Sequence, residues 1–462
     1  MALLTLLLLA IAQWLLGFAL LSAFRIRIGG WIHVSVSVLL GLAVYSILPF
    51  FMELLKIPLT GGTIALAITL VTGLAIGLQG RQFIANLKEQ GKSLRLLPKL
   101  YEVPFIAIIG FMIFVGAWRC FYYPPTPRDL TSGPEVIAEY TIKEKTMVNS
   151  VFTVDLESTN NQFKPPYLTT LQVIYKYAGF PFGQVWLITL VTAFIVFLYH
   201  ALSLRLHKIV TGCLLIFFMA IPEVYAYTIM ILFDYSNMVY LTVALFFLIR
   251  SFEYPEERGN LALAAVLGGV ATYVRSETLV LIGFAGIFIL LWNQLLHRKR
   301  PFVAAALTTT AFVLPALIAY LLSITLYINA YLPQGYSIDG KINSNLSDLS
   351  PFFNRFSDVN SELLFGDGAA RLYGPILYVF LLFFIADLVL FRKIPASARP
   401  WLVAVLIVYI GLPFLGYVLP LMDLANTTKR GLFKLFPLLL FSLSYNQVLL
   451  RISGGLRKLE HS

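Results

Sequence analysis

The chain has 462 residues, 34 Lys and Arg against 23 Asp and Glu, a formal net charge of +11 and a mean hydropathy of +0.83. A hydrophobic share of 59% with only 12% charged residues excludes an ordinary soluble enzyme. In a soluble protein the positive balance would point to nucleic acid; here the basic residues stand mostly at the ends of apolar runs, where they set topology, and no nucleic-acid partner is expected.

Apolar runs of about twenty residues recur from end to end, each long enough to cross ~30 Å of hydrocarbon. The expectation is an all-α polytopic membrane protein with about thirteen transmembrane helices. They fall at roughly 2–23, 31–52, 61–79, 103–122, 184–204, 209–228, 229–249, 260–275, 277–296, 302–326, 373–391, 401–421 and 431–450. The first run has no basic region before it and no clear cleavage site, so it reads as a retained helix. An odd number of spans puts the termini on opposite sides. With the N-terminus outside, the short inner connections carry most of the 34 Lys and Arg, as the positive-inside rule asks. Residues 1–80 then form an accessory N-terminal block. The segment 81–102 reads as a basic amphipathic helix on the cytoplasmic surface, 103–450 as the transmembrane core, and 451–462 as a cytoplasmic tail.

Two long polar loops share the outer face, at 123–169 and 327–372. The first opens with Pro124, Pro125 and Pro127, which stop the preceding helix. Within it, Glu135, Ile137, Ala138 and Ile142 recur at helical spacing, as in an interfacial helix. The second loop, rich in Ser, Asn, Asp and Gly, suits either a mobile lid or a loose connection. No phosphate-cradling glycine motif is present, so a nucleotide-binding module is not expected. Cys120 and Cys213 suggest neither a disulfide framework nor a metal motif.

The candidate chemistry sits at the helix mouths. Asp129 follows the prolines just beyond the end of an apolar run. A carboxylate beside apolar walls has a raised pKa and can take a proton from a substrate hydroxyl, so Asp129 is the candidate general base and Glu135 its understudy. The same carboxylate can bind a divalent cation such as Mg or Mn, or can simply be a solvated loop acid. Lys164, in FKPPYLTT (163–170), is placed to meet a phosphate or to anchor the interface. Asp234 and Asn237 lie in an outer turn and suit either a site or a helix cap. Arg275 and Glu277 share a short break between apolar runs, where a salt bridge or a substrate contact is equally in keeping. Lys429 and Arg430, on the outer face against the positive-inside trend, suit a lipid phosphate or ordinary headgroups.

From about Val103 the order of these features resembles the GT-C superfamily of polytopic glycosyltransferases, whose members include bacterial lipid A aminoarabinose transferases and protein O-mannosyltransferases. The carriers are Asp129 after the first core span, the Pro165-Pro166 segment ending the long loop, YSNMVYLTVALFFLIRSFE (235–253), VRSETLVL (274–281) and KRGLFKLFPLLL (429–440). The sequence departs from that pattern at Leu130, where many members carry a second acid, and at Asn237, where an Asp is common. The resemblance implies a GT-C-like core whose long first extracytoplasmic loop carries interfacial helices. It implies transfer of a sugar from a polyprenyl-phosphate donor to a lipid, glycan or protein acceptor, at the periplasmic face of a bacterial inner membrane. Two other readings stay open. A transporter or flippase for lipid-linked sugars would place charges near the bilayer midplane, and a scaffold subunit would use the polar loops for docking.

Overall fold

Long runs of Leu, Ile, Val and Phe leave the backbone no water to bond with, and a helix satisfies every peptide group from within the segment. The computed structural model describes residues 2–94, 97–126, 132–159, 161–296, 301–331, 342–343, 345–366, 368–419 and 422–461. Among them the regular structure is helical throughout. The N-terminal helices are α1 (Ala2–Ala23), α2 (Gly30–Leu54), α3 (Gly61–Ser93) and α4 (Val103–Tyr122). The first long loop carries α5 (Pro134–Glu144) and leads into α6 (Tyr167–Tyr177). The middle of the chain supplies α7 (Val185–Ser203), α8 (Lys208–Met219), α9 (Phe233–Glu253), α10 (Arg258–Val274), α11 (Thr278–Leu291) and α12 (Phe302–Tyr320). After the second loop, which contributes α13 (Ser350–Asp358), come α14 (Ile376–Phe391), α15 (Arg399–Val418), α16 (Leu435–Leu443) and α17 (Gln447–His461).

Among the described residues eight helices are long and apolar enough to cross a membrane, or up to ten if each of two bent pairs is one span. That falls short of the thirteen expected: α10, α11 and α14 have only 17, 14 and 16 residues. Sequence windows cannot see how far a helix is bent or cut short by its neighbours. Pro222 does this after α8, where the chain turns by 76°.

Three regions differ from their sequence reading. Residues 81–93 do not form a separate surface helix; α3 runs through them without a break, because no proline or cap interrupts its 33 residues. The expected tail is helical as α17, turned 57° from the helix before it. Its Glu460 meets Lys99, and Arg457 donates to the Arg205 carbonyl at 2.7 Å. In the first loop, α5 does form, but it lays Ile137, Ala138 and Thr141 against protein rather than against an interface.

The interior is organised on α9, in which every residue from Phe233 to Ile249 is buried. It packs along α10, while α2 packs on α6 and α7 and reaches α9 through the Leu39 carbonyl. Polar pairs stitch this layer where water is excluded. Tyr167 donates to Tyr240 at 3.0 Å and Tyr240 to the Leu39 carbonyl at 2.9 Å. Ser46 meets Thr170 at 3.0 Å, and Tyr273 donates to the Ser46 carbonyl at 3.2 Å. Thus α2, expected in an accessory block, is interior structure for the core.

The fold also sorts the connections into two ends. Segments expected on the inner side meet one another: Arg250 donates to the Arg27 carbonyl at 2.7 Å, Arg205 pairs with Glu253 at 2.6 Å, and Lys208 with Glu102 at 2.8 Å. Segments expected on the outer side meet at the opposite end of α9, as described below.

The crossing of α1 with α2 depends on two glycines. A Cβ on Gly17 would fall on the Ser37 carbonyl, and one on Gly41 on the Gln13 carbonyl, whereas Gly73 faces open space. Gly17→Ala or Gly41→Ala should therefore destabilise by about 1–3 kcal/mol through overpacking, read as a lower Tm in detergent. Gly73→Ala should hold or raise Tm, since Ala favours helix by about 1 kcal/mol. An unchanged Tm in both crossing variants would contradict this packing.

Candidate functional site

At the N-terminal end of α9 the chain gathers charges from four distant places. Asp234 lies in the first turn of α9, where a helix N-terminus favours an acid. It does not cap that helix through its own side chain; it pairs with Arg275, which stands in the break between α10 and α11. Arg275 also contacts Glu277, two residues on. Arg430 approaches the second oxygen of Asp234 at 3.6 Å. Asp234 and Arg275 are 2% and 3% exposed, so this pairing sits inside the protein.

Sequence explains the arrangement. The α10–α11 break holds the extended backbone of Arg275 beside α9, and Asn237, one turn after Asp234, locks it there. Its amide donates to the Ala271 carbonyl at 2.7 Å and to Thr278 Oγ1 at 2.8 Å, bridging both sides of the break. Asn237 is thus a positioning residue. The Arg430 segment is braced in turn by Arg355 of α13, which donates to Thr428 Oγ1 at 2.6 Å and to the Met422 carbonyl. Part of the second loop therefore packs onto the strand of chain that presents Arg430.

These groups border a cavity of about 320 Å³. Lys164, Asp234, Arg275 and Arg430 line it, with Tyr227, Met230, Ile231, Leu232 and Phe233 as its less polar wall. Lys164 has no ion-pair or side-chain hydrogen-bond partner among the described residues. Burial, together with the neighbouring Arg275, pulls its ammonium down to about 8.

One further cation belongs here that the sequence reading did not single out. Lys434 is 2% exposed and close enough to Arg275, Asp234, Glu277 and Lys164 to feel their charges. The signal was present: Lys434 follows Arg430 by four, which shares a helix face, and it stands alone in an apolar run. Among the described residues the cluster holds four cations (Lys164, Arg275, Arg430, Lys434) against two acids (Asp234, Glu277). Such a site attracts an anion. It does not fit a divalent cation, because both acids already serve Arg275 and the excess charge is positive. No group of three or more potential metal-binding side chains occurs among the described residues.

The remaining expected site residues lie elsewhere. Glu135 is buried in an ion pair with Lys176 at 2.6 Å and accepts from Gln172 at 2.6 Å. Burial raises its carboxyl despite Lys176, yet it does not line the cavity. Lys429 turns away from Arg430 to pair with Glu223 at 3.0 Å. Asp129 lies outside the described residues; Thr126 and Ser132, before and after that stretch, both line the cavity. No family model, curated protein or solved structure matches the chain.

Removing Asp234 should leave the buried Arg275 guanidinium with Glu277 alone and take from the half-buried Arg430 its only acid among the described residues, so Asp234→Ala should lose about 3–5 kcal/mol. Lys434→Met should do the opposite in the ligand-free protein, since it removes a buried charge with no ion-pair partner among the described residues. Unfolding of both variants in one detergent checks the contrast. Equal destabilisation would argue against a cation excess.

Proposed function

We propose that the chain is a GT-C-like glycosyltransferase that moves a sugar from a polyprenyl-phosphate donor to an acceptor hydroxyl, on the extracytoplasmic face of a bacterial inner membrane. The observation that carries this reading is the buried cation excess beside a cavity at one end of the apolar helix bundle. A phosphodiester attached to a long apolar tail needs such a place: fixed positive charge for its head, with apolar helices alongside for its tail. The thirteen-span topology with the N-terminus outside, which puts this end on the extracytoplasmic side, is part of the proposal.

The chemistry follows from the charge change. The acceptor oxygen attacks the anomeric carbon, the bond from that carbon to the phosphate oxygen breaks, and the leaving phosphate keeps the electron pair. The donor phosphodiester carries one negative charge and the released monoester approaches two, so fixed cations bind the transition state more tightly than the ground state. Lys164, Arg275, Arg430 and Lys434 supply that field. Asp234 and Glu277 hold Arg275 in place, and Asn237 fixes the backbone that presents it. A base must take the proton of the acceptor hydroxyl, and Asp129 is the residue the sequence offers for it.

The test is transfer from polyprenyl-phosphate sugars by purified protein in liposomes, followed as glycosylated product. Arg430→Ala should lower kcat/KM by about 10²–10³, the usual effect of removing one donor to a developing oxyanion, and Asp129→Asn should lower kcat. Wild-type rates in both variants would overturn the assignment. Transmembrane flux of the lipid-linked sugar without product would favour a flippase instead.

A pH dependence follows from Lys164. Its ammonium titrates near 8 rather than at the ordinary lysine value, so the charged form that attracts phosphate is complete below that pH and lost above it. The kcat/KM profile should fall as pH rises through about 8; Lys164→Met should lower the plateau and make that descending limb shallower, and the double variant Lys164→Met with Lys434→Met should remove it. A limb that survives in the double variant belongs to another group.

A further inference from the structure

A second cavity, about 380 Å³ in volume, lies at the opposite end of α9. Asp234 in the first turn and Arg250 in the last are about 24 Å apart at 1.5 Å per residue. Three arginines line this second cavity, Arg27, Arg205 and Arg250, with Glu253 as its acidic lining residue. Its inner wall is buried and aromatic: Trp401 stacks on Phe441 with ring centres 4.4 Å apart. Its mouth is exposed, at Arg27 and Leu204.

The single acid is already committed. Glu253 takes Arg205 at 2.6 Å and the Tyr445 hydroxyl at 2.7 Å, and the Arg205 guanidinium lies 3.8 Å over the Tyr445 ring. That leaves Arg27 in excess and Arg250 with only a distant acid. The Arg27 guanidinium has no hydrogen-bond or ion-pair partner among the described residues. Arg250 spends one nitrogen on the Arg27 carbonyl and lies 4.4 Å over Tyr254, while its buried Nε has no hydrogen-bond partner. Its nearest acid, Glu257, is at 3.7 Å.

We propose that this cavity binds a phosphate-bearing headgroup, with Arg27 and Arg250 on the phosphate and the Trp401–Phe441 wall against the carbon adjoining it. Guanidinium groups converging from two chain segments suit a tetrahedral oxyanion, which accepts from several directions at once. A cavity of 380 Å³ takes a headgroup or a compact phosphate ester and leaves an acyl chain outside, along the flanking helices. The site is independent of the sugar-transfer cluster: it shares α9 with it but no lining residue.

The experiment compares wild type, Arg27→Ala, Arg250→Gln and Arg430→Ala. Each is delipidated in neutral detergent and titrated with phosphatidylglycerol, phosphatidylcholine or inorganic pyrophosphate, with binding read by native mass spectrometry and by the shift in Tm. The Arg27 side chain is exposed and has no partner among the described residues, and the carbonyl that Arg250 uses stays in place, so its alanine variant should fold as wild type. The expected result is saturable binding of one phosphate-bearing ligand that weakens about tenfold or more in Arg27→Ala and Arg250→Gln and is unchanged in Arg430→Ala. Phosphatidylglycerol as the binder identifies a lipid headgroup, and pyrophosphate a soluble ester. No saturable binding, equal binding in Arg27→Ala, or a loss confined to Arg430→Ala would each overturn the proposal, the last by assigning the anion to the first cavity.

Discussion

A guanidinium buried to 3% exposure among apolar helices is the constraint from which the rest of the architecture can be read. Arg275 needs counter-charge where water is scarce, and it draws on Asp234 from α9 and Glu277 from its own turn. That requirement ties the α10–α11 break to the start of α9, and Asn237 fixes the same junction through backbone and hydroxyl bonds. Arg430 then meets the free edge of Asp234. An ion cluster of this kind is poor evidence of stability for its own sake, because desolvation consumes much of the attraction. Its excess of positive charge points instead to something that arrives with negative charge.

The general class was legible in the sequence because the bilayer leaves few options: apolar runs of sufficient length become helices. The proline stop after Tyr122 was equally legible, and α4 ends there. What sequence could not give was the third dimension. The basic stretch after residue 80 looked like a separate element by composition, yet nothing in it ends a helix, and α3 continues to Ser93. The interior position of α2 depends on partners more than a hundred residues away, such as Thr170 and Tyr240.

The site was legible in part for a similar reason. Lys164, Asp234, Arg275, Glu277 and Arg430 stood out as charges at helix mouths, and the fold brings them together. Glu135 and Lys429 stood out on the same grounds but found structural partners in Lys176 and Glu223. Charge position alone does not separate these two fates; pairing does, and pairing is tertiary. Lys434 escaped notice because it sits inside an apolar run, although its spacing from Arg430 marked it. Two anion-seeking cavities at opposite ends of one buried helix also give α9 a simple physical role, that of a rigid post holding both.

The most direct test of the central claim is a cryo-EM structure in nanodiscs with a non-transferable polyprenyl-phosphate sugar analogue. The account predicts phosphate density enclosed by Lys164, Arg275, Arg430 and Lys434, with the lipid tail leaving between helices at that end of α9. A headgroup bound elsewhere, with this cavity holding no anion at saturating analogue, would contradict it.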